Sequence, residues 1–205
     1  MFATPLVFNN RMHETSPCQK RNSKLRFFKQ RKNSMLRLPK IADIFGLDPA
    51  KLKTDRSRGT VPLAGRSEGK NPAYGPMDLI ALALHEQLMA RNFTSSSAAR
   101  EIMVSDAPHQ VLQRLKEGTL SDCLLILSQE VQDHPKMSGV SSPMHRSDII
   151  SVSDLPEYVA KYAPRVGSFT VVALGPVWQH LVARSALAGV ALYPDGEMII
   201  EVSTE

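Results

Sequence analysis

The sequence predicts an α+β protein in three successive parts: a basic tail over residues 1–34, a mostly helical segment over 36–104 and a small α/β segment over 105–205. Three observations predict it. Charge is split along the chain. Residues 11–37 carry nine Lys/Arg against the single acid Glu14, 38–70 carry seven bases against four acids, and 105–205 carry seven bases against twelve acids. Helix punctuation is dense between residues 38 and 104. Beyond 105 the pattern changes to short apolar runs alternating with helical stretches, the sign of strands mixed with helices.

Composition supports a packed core. Of 205 residues, 42% are apolar and 22% charged, close to the average of globular domains. No run approaches the ~18 consecutive apolar residues of a membrane span. The opening MFATPLVFNN lacks the basic stretch and apolar core of a secretory signal. Two cysteines, Cys18 and Cys123, make no disulfide framework and fit a reducing compartment. These features together lead us to expect a cytoplasmic protein.

Residues 1–34 are rich in Lys, Arg, Asn, Ser and Gln without a sustained period of 2 or 3.6, and are expected to be disordered. The run from Lys20 to Lys32 could grip phosphate or an anionic membrane surface, or serve as a transit peptide. Met35, just before the first folded pattern, is an alternative start of translation.

Helical logic begins at Leu38. Leu38, Ile41, Ala42 and Phe45 stand at i, i+3, i+4 and i+7, one apolar face, with Pro39 in the first turn and Gly46 at the stop. Asp48 then caps a second helix with Pro49 at its first position, running through Arg56 and fading by Gly59. Two short helices joined by a glycine turn are the layout of a helix-turn-helix. Residues 59–76 hold four glycines and three prolines, which predicts a loop or short hairpin. With Arg66 and Lys70 near its middle, that loop reads as a basic wing. A helix from Met77 to about Arg91 has so few polar residues that it should be covered on more than one side. Asn92 ends it, and Thr94 caps another helix to about Met103.

The second half reads as follows. A short helix is expected over 108–117, a buried strand over Cys123–Ser128, a polar loop over 129–147 and a strand over Asp148–Val152. Ser153 is expected to cap a helix to Tyr162. A strand over Ser168–Leu174 then leads through Gly175-Pro176 into a helix to about Leu187, and 190–193 with 198–202 form a hairpin.

Residues 36–104 resemble the winged-helix DNA-binding domain of the mercury-resistance-regulator (MerR) family. Three stretches carry the resemblance: Leu38 to Leu47; Asp48-Pro49-Ala50-Lys51-Leu52-Lys53; and Tyr74-Gly75-Pro76-Met77-Asp78-Leu79, followed by Phe93-Thr94. They look like the family's first helix and turn, the start of its recognition helix, and its wing tyrosine with the helices after it. The chain departs from the family at Thr54-Asp55-Arg56, where an aromatic pair and an acid are usual. It also lacks heptads after residue 104. Coiled-coil dimerisation and promoter untwisting are therefore not implied, and the usual metal-binding cysteines are absent.

The expected function is sequence-specific binding of double-stranded DNA, as in a transcriptional regulator. The alternative is a packaging or excisionase-like adaptor built on the same winged helix. Ala50, Lys51 and Thr54 lie opposite Leu52 and would meet base edges, Lys51 donating to guanine and Thr54 touching a thymine methyl. Lys53, Arg56 and Arg58 would meet phosphates. Arg66, Lys70 and Tyr74 would contribute from the wing. Because one winged helix covers a small footprint, a homodimer formed through 105–205 is expected. Catalytic, cofactor and metal motifs are not found. Cys123 reads as a core thiol, His85 as a surface or packing residue, and His180 as core or rim packing. His13 and Cys18 lack partner ligands, and His134 and His145 make a weak zinc pattern. The Gly175-Pro176 helix start offers only a weak anion site.

Overall fold

The computed structural model describes residues 35–68, 71–133, 141–193 and 197–200. The tail over 1–34 lies outside the described residues. Among the described residues, seven α-helices and seven strands follow in order: α1 Leu38–Phe45, α2 Pro49–Ser57, β1 Arg66–Glu68, β2 Asn71–Ala73, α3 Pro76–Met89, α4 Ser95–Val104, α5 Ala107–Lys116, β3 Cys123–Asp133, β4 Ser141–Ser151, α6 Leu155–Tyr162, β5 Val166–Ala173, α7 Leu174–Leu187, β6 Val190–Leu192 and β7 Met198–Ile200. The class is α+β. No helix among the described residues is long and apolar enough to cross a membrane.

The first two helices form where the punctuation directs. Gly46 takes the left-handed conformation (φ 61°) that a side chain would strain, and the Leu47 N–H turns back onto the Ala42 carbonyl at 2.8 Å. Asp48 accepts the Lys51 N–H at 2.7 Å, which satisfies one of the orphan donors at the start of α2. Asn92 also adopts a positive φ (67°), so α3 stops where expected.

Helix α3 is the centre of the molecule. From Leu79 to His85 every residue is buried, and Leu88 is buried as well. Val111 of α5 and Leu174, Val177, Trp178 and Leu181 of α7 close around its Ile80, Ala83 and Leu84. One apolar core therefore runs from Leu36 to Met198, and the described residues from 35 onward belong to a single compact unit. The boundary expected at 104/105 is not a break in the fold. A helix that is apolar all round needs partners on every side, and α5 and α7 supply them from the second half.

Strands β4, β3 and β5 form a sheet in that order, antiparallel at both pairings. It contains none of the parallel crossovers that alternating strands and helices suggested. Leu125 and Leu127 of β3 face the main core. Leu124 and Ile126 face a second cluster with Tyr158 of α6, joined by Ile150, Tyr162 and Phe169. The polar loop expected over 129–147 is largely strand instead. β3 continues to Asp133 and pairs with β4 from Ser141 onward. The polar residues carry no apolar alternation because the backbone ladder holds this ribbon together, and Pro143 is tolerated because β4 is an edge. Ser153 is not a helix cap. It lies in a 3₁₀ turn before α6, its hydroxyl within hydrogen-bond distance of the Ser151 hydroxyl and the Asp154 carboxylate. The closing hairpin of β6 and β7 forms as expected.

Candidate nucleic-acid interface

The geometry of α2 follows from how little it buries. Leu52 is its one buried residue and anchors it to α1. Ala50, Lys51, Lys53, Thr54 and Ser57 are all exposed. Arg58, at the C-cap, is exposed too. Thr54 is exposed, and its hydroxyl donates to the Ala50 carbonyl at 3.0 Å. Helix α2 therefore offers solvent a small and basic N-terminal surface, with Lys51 and Lys53 on it.

The wing is the hairpin of β1 and β2, in the register Arg66 opposite Ala73 and Glu68 opposite Asn71. Three-residue strands hold few ladder bonds, so side chains fix the hairpin in place. Arg56, reaching from α2, donates through Nε to the Leu63 carbonyl at 3.3 Å and through Nη2 to that of Ala64 at 3.2 Å. Arg37 donates to the carbonyls of Asn71 at 2.9 Å and Pro72 at 3.4 Å. Asp78, in the first turn of α3, accepts the Gly65 N–H at 3.0 Å with one oxygen and the Gly75 N–H at 2.9 Å with the other. One carboxylate thus caps α3 and grips the base of the wing. A two-way bridge between Leu36 and Tyr74 ties the entry strand to the wing's end.

The candidate residues divide accordingly. Ala50, Lys51, Lys53, Thr54, Arg58 and Arg66 are exposed and share the segment formed by α2 and the wing. Lys70 lies outside the described residues. Arg56 is half-buried and bound to loop carbonyls, so it positions the wing rather than reaching for phosphate. Tyr74 is not a surface contact at all. Its exposure is 0%, its hydroxyl finds no partner among the described residues, and burial raises its pKa against the opposing pull of Arg56. The Arg56 guanidinium lies 5.6 Å from the ring centroid, a cation–π contact. Arg37 and Asp78 were not legible as wing clamps. The only sequence signals are an acid at the third helical position of α3 and an arginine just before α1.

The other chemistry-bearing residues are structural. His85 is buried and pairs through Nε2 with the Ser95 carbonyl at 3.1 Å, while the Ser95 hydroxyl donates to the Thr60 carbonyl at 2.7 Å. That chain of bonds joins α3, α4 and the loop after α2. Cys123 is a buried core thiol, raised in pKa by its desolvation, and donates to the Thr119 carbonyl at 3.2 Å. His180 is exposed rather than packed in the core or at its rim. His13, Cys18 and His134, and the side chain of His145, lie outside the described residues. At the start of α7 the backbone of Gly175 packs closely on Ser121: a Cβ on Gly175 would come within 2.9 Å of the Ser121 carbonyl oxygen. No group of three metal-binding side chains gathers among the described residues.

Beside the sheet an open cleft of about 400 Å³ is lined by Arg146, Asp148, Glu157, Tyr158, Lys161 and Tyr162, among others. Asp148 organises it, accepting from the Tyr158 hydroxyl at 2.6 Å and from Arg146. The Arg146 guanidinium lies 4.5 Å from the Tyr162 ring centroid. Desolvation first, then the bond to Asp148, pushes the Tyr158 pKa up to about 12. Comparison with known family models and with curated proteins finds no match for this chain.

Proposed function

We propose that residues 36–74 bind duplex DNA, with α2 in the major groove and the β1–β2 hairpin beside it as a wing. The chain would act as a sequence-specific transcriptional regulator in the cytoplasm. The observation that carries the reading is the combination at α2. It is anchored by Leu52 alone, presents Ala50, Lys51, Lys53 and Thr54 outward, and is locked to the wing by Arg56. A helix entering a groove needs this arrangement: small and polar residues on its outer N-terminal face and a rigid support behind. The element order α1, turn, α2, hairpin, α3, α4 is also the order that the resemblance to the MerR winged helix implies.

The roles follow from reach. Lys51 donates to guanine O6 or N7 and the Thr54 methyl meets thymine. Lys53, Arg58 and Arg66 neutralise phosphates. The test uses the full chain and fluorescence anisotropy on selected and random duplexes over a salt series. Lys51→Ala should cost about 1–3 kcal/mol on the selected site and little on random DNA. Replacing both Lys53 and Arg58 with alanine should weaken binding to every duplex and reduce the salt slope by about two units. Should the variant lacking Lys51, Lys53 and Arg58 bind like the parent, affinity comes from elsewhere in the chain and the reading fails.

A further inference from the structure

The three-stranded sheet has two edges of opposite character. β4 carries Pro143, Arg146 and Asp148, a proline and charges of the kind that keep an edge from pairing with another chain. β5 reads Val-Gly-Ser-Phe-Thr-Val-Val-Ala and holds no charge and no proline. Among the described residues it pairs with β3 on one side only. Gly167, Ser168, Val171 and Ala173 are exposed, Val171 to 36%.

The backbone gives this edge a direction and a register. The Val171 carbonyl accepts from Arg91 Nε at 3.1 Å, so it points away from β3. Alternation along an antiparallel strand turns Phe169 the same way and Thr170 toward β3. The regular stretch is Ser168–Ala173. It is bounded on one side by a register shift that leaves Gly167 unpaired and on the other by the start of α7. Thr170, between the outward backbone groups of Phe169 and Val171, lies next to its middle.

We propose that β5 pairs with β5 of a second copy of this chain, antiparallel about a two-fold axis at Thr170, joining two sheets into one of six strands. In this register Phe169 of each copy exchanges both backbone hydrogen bonds with Val171 of the other. The Val171 carbonyl keeps Arg91 on its second lone pair. Phe169 then lies beside the other copy's Val171 on one face, and the two Thr170 side chains meet on the other. Aromatic–β-branched and Thr–Thr are favourable cross-strand pairs. The strand's own side chains set no like charges opposite one another when it meets its copy. The inference goes beyond the DNA reading and does not depend on it. It supplies the second copy that a small winged-helix footprint calls for.

Sedimentation of the full chain and oxidative crosslinking test it. The parent should sediment as a dimer at micromolar concentration. Val171→Lys, which sets a lysine ammonium at the joint on each copy, should raise the dimer dissociation constant more than about tenfold, while its thermal midpoint should match the parent's once both are diluted to monomers. In a Cys18→Ser background, Thr170→Cys should form a disulfide-linked dimer under mild oxidation, because facing residues in this position have Cα atoms about 4.5 Å apart. Ser147→Cys on β4 should stay unlinked. A monomeric parent overturns the proposal. So does a dimer indifferent to Val171→Lys, or crosslinking at Ser147 in place of Thr170. If Val171→Lys does not fold, the cysteine pair of results decides alone.

Discussion

The wing hairpin and the β3–β4 hairpin are both antiparallel ribbons, and they are held by opposite means. β1 and β2 have three residues each and depend on side chains from outside, Arg37, Arg56 and Asp78. β3 and β4 have eleven each and depend on their own ladder and on burial of β3 from both faces. The contrast explains where single substitutions should matter. A short hairpin with few internal bonds can be displaced by removing one carboxylate. A long ladder spreads its stabilisation over many weak bonds and tolerates Pro143 and a polar sequence. For the proposed contact with DNA the first design has a consequence: Arg56 both positions the wing and connects it to α2, so loosening it disturbs both.

The largest effect should come from dividing the chain at 104/105. A fragment of residues 36–104 loses α5 and α7, exposing Ile80, Leu84 and their neighbours. Those two side chains alone are worth about 3–6 kcal/mol of burial, a large part of a typical domain's roughly 5–15 kcal/mol. The fragment also loses Arg184, which pairs with Glu86 at 2.7 Å and donates to the Ile44 carbonyl at 3.0 Å. No cooperative thermal transition is expected for it by circular dichroism. A sharp transition near that of the full chain would show that the helix-turn-helix stands without the sheet.

Asp78→Ala comes next. It removes a helix cap and strands the Gly65 N–H, together about 2–3 kcal/mol. Urea unfolding should record that loss, and amide exchange should rise in β1 and β2 while β3 stays protected. Equal deprotection of both ribbons would mean that the wing is not held separately.

The smallest effect belongs to the sheet side. Tyr158→Phe removes the hydrogen bond to half-buried Asp148, about 1–2 kcal/mol. It carries a pH signature. The phenol titrates near 10.0 in the unfolded chain and at about 12 when folded, so the folded state retains the proton across that window. The contribution is complete below pH 10 and is lost as the pH rises through 12. Subtracting the thermal midpoint of the Tyr158→Phe variant from that of the parent should leave a difference that shrinks over this range. A difference that stays flat across the whole window would remove the assignment.

Local chemistry made much of this fold legible in advance. Gly46, Asp48 with Pro49, Asn92 and Thr94 act on backbone groups within a few residues of themselves, so their positions in the sequence are sufficient to place α1, α2, α3 and α4. The apolar circumference of α3 announced a central helix for the same reason. The exposed candidates Lys51, Lys53 and Arg58 were legible because a helix's solvent face is set by where its one anchor, Leu52, falls. Tyr74 and Arg56 were misplaced because burial of a tyrosine and capture of a guanidinium depend on carbonyls and walls brought by other segments. The ribbon over 129–147 escaped because ladder bonds join backbones, whatever the side chains. The domain boundary failed because α3 specifies that it must be covered but not by what. Tertiary structure alone decided that α5 and α7 cover it, that Asp78 reaches Gly65 across thirteen positions, and that β5 is an edge of the sheet among the described residues. Each is a contact between distant segments, whose cost in chain entropy is repaid only when the whole core closes.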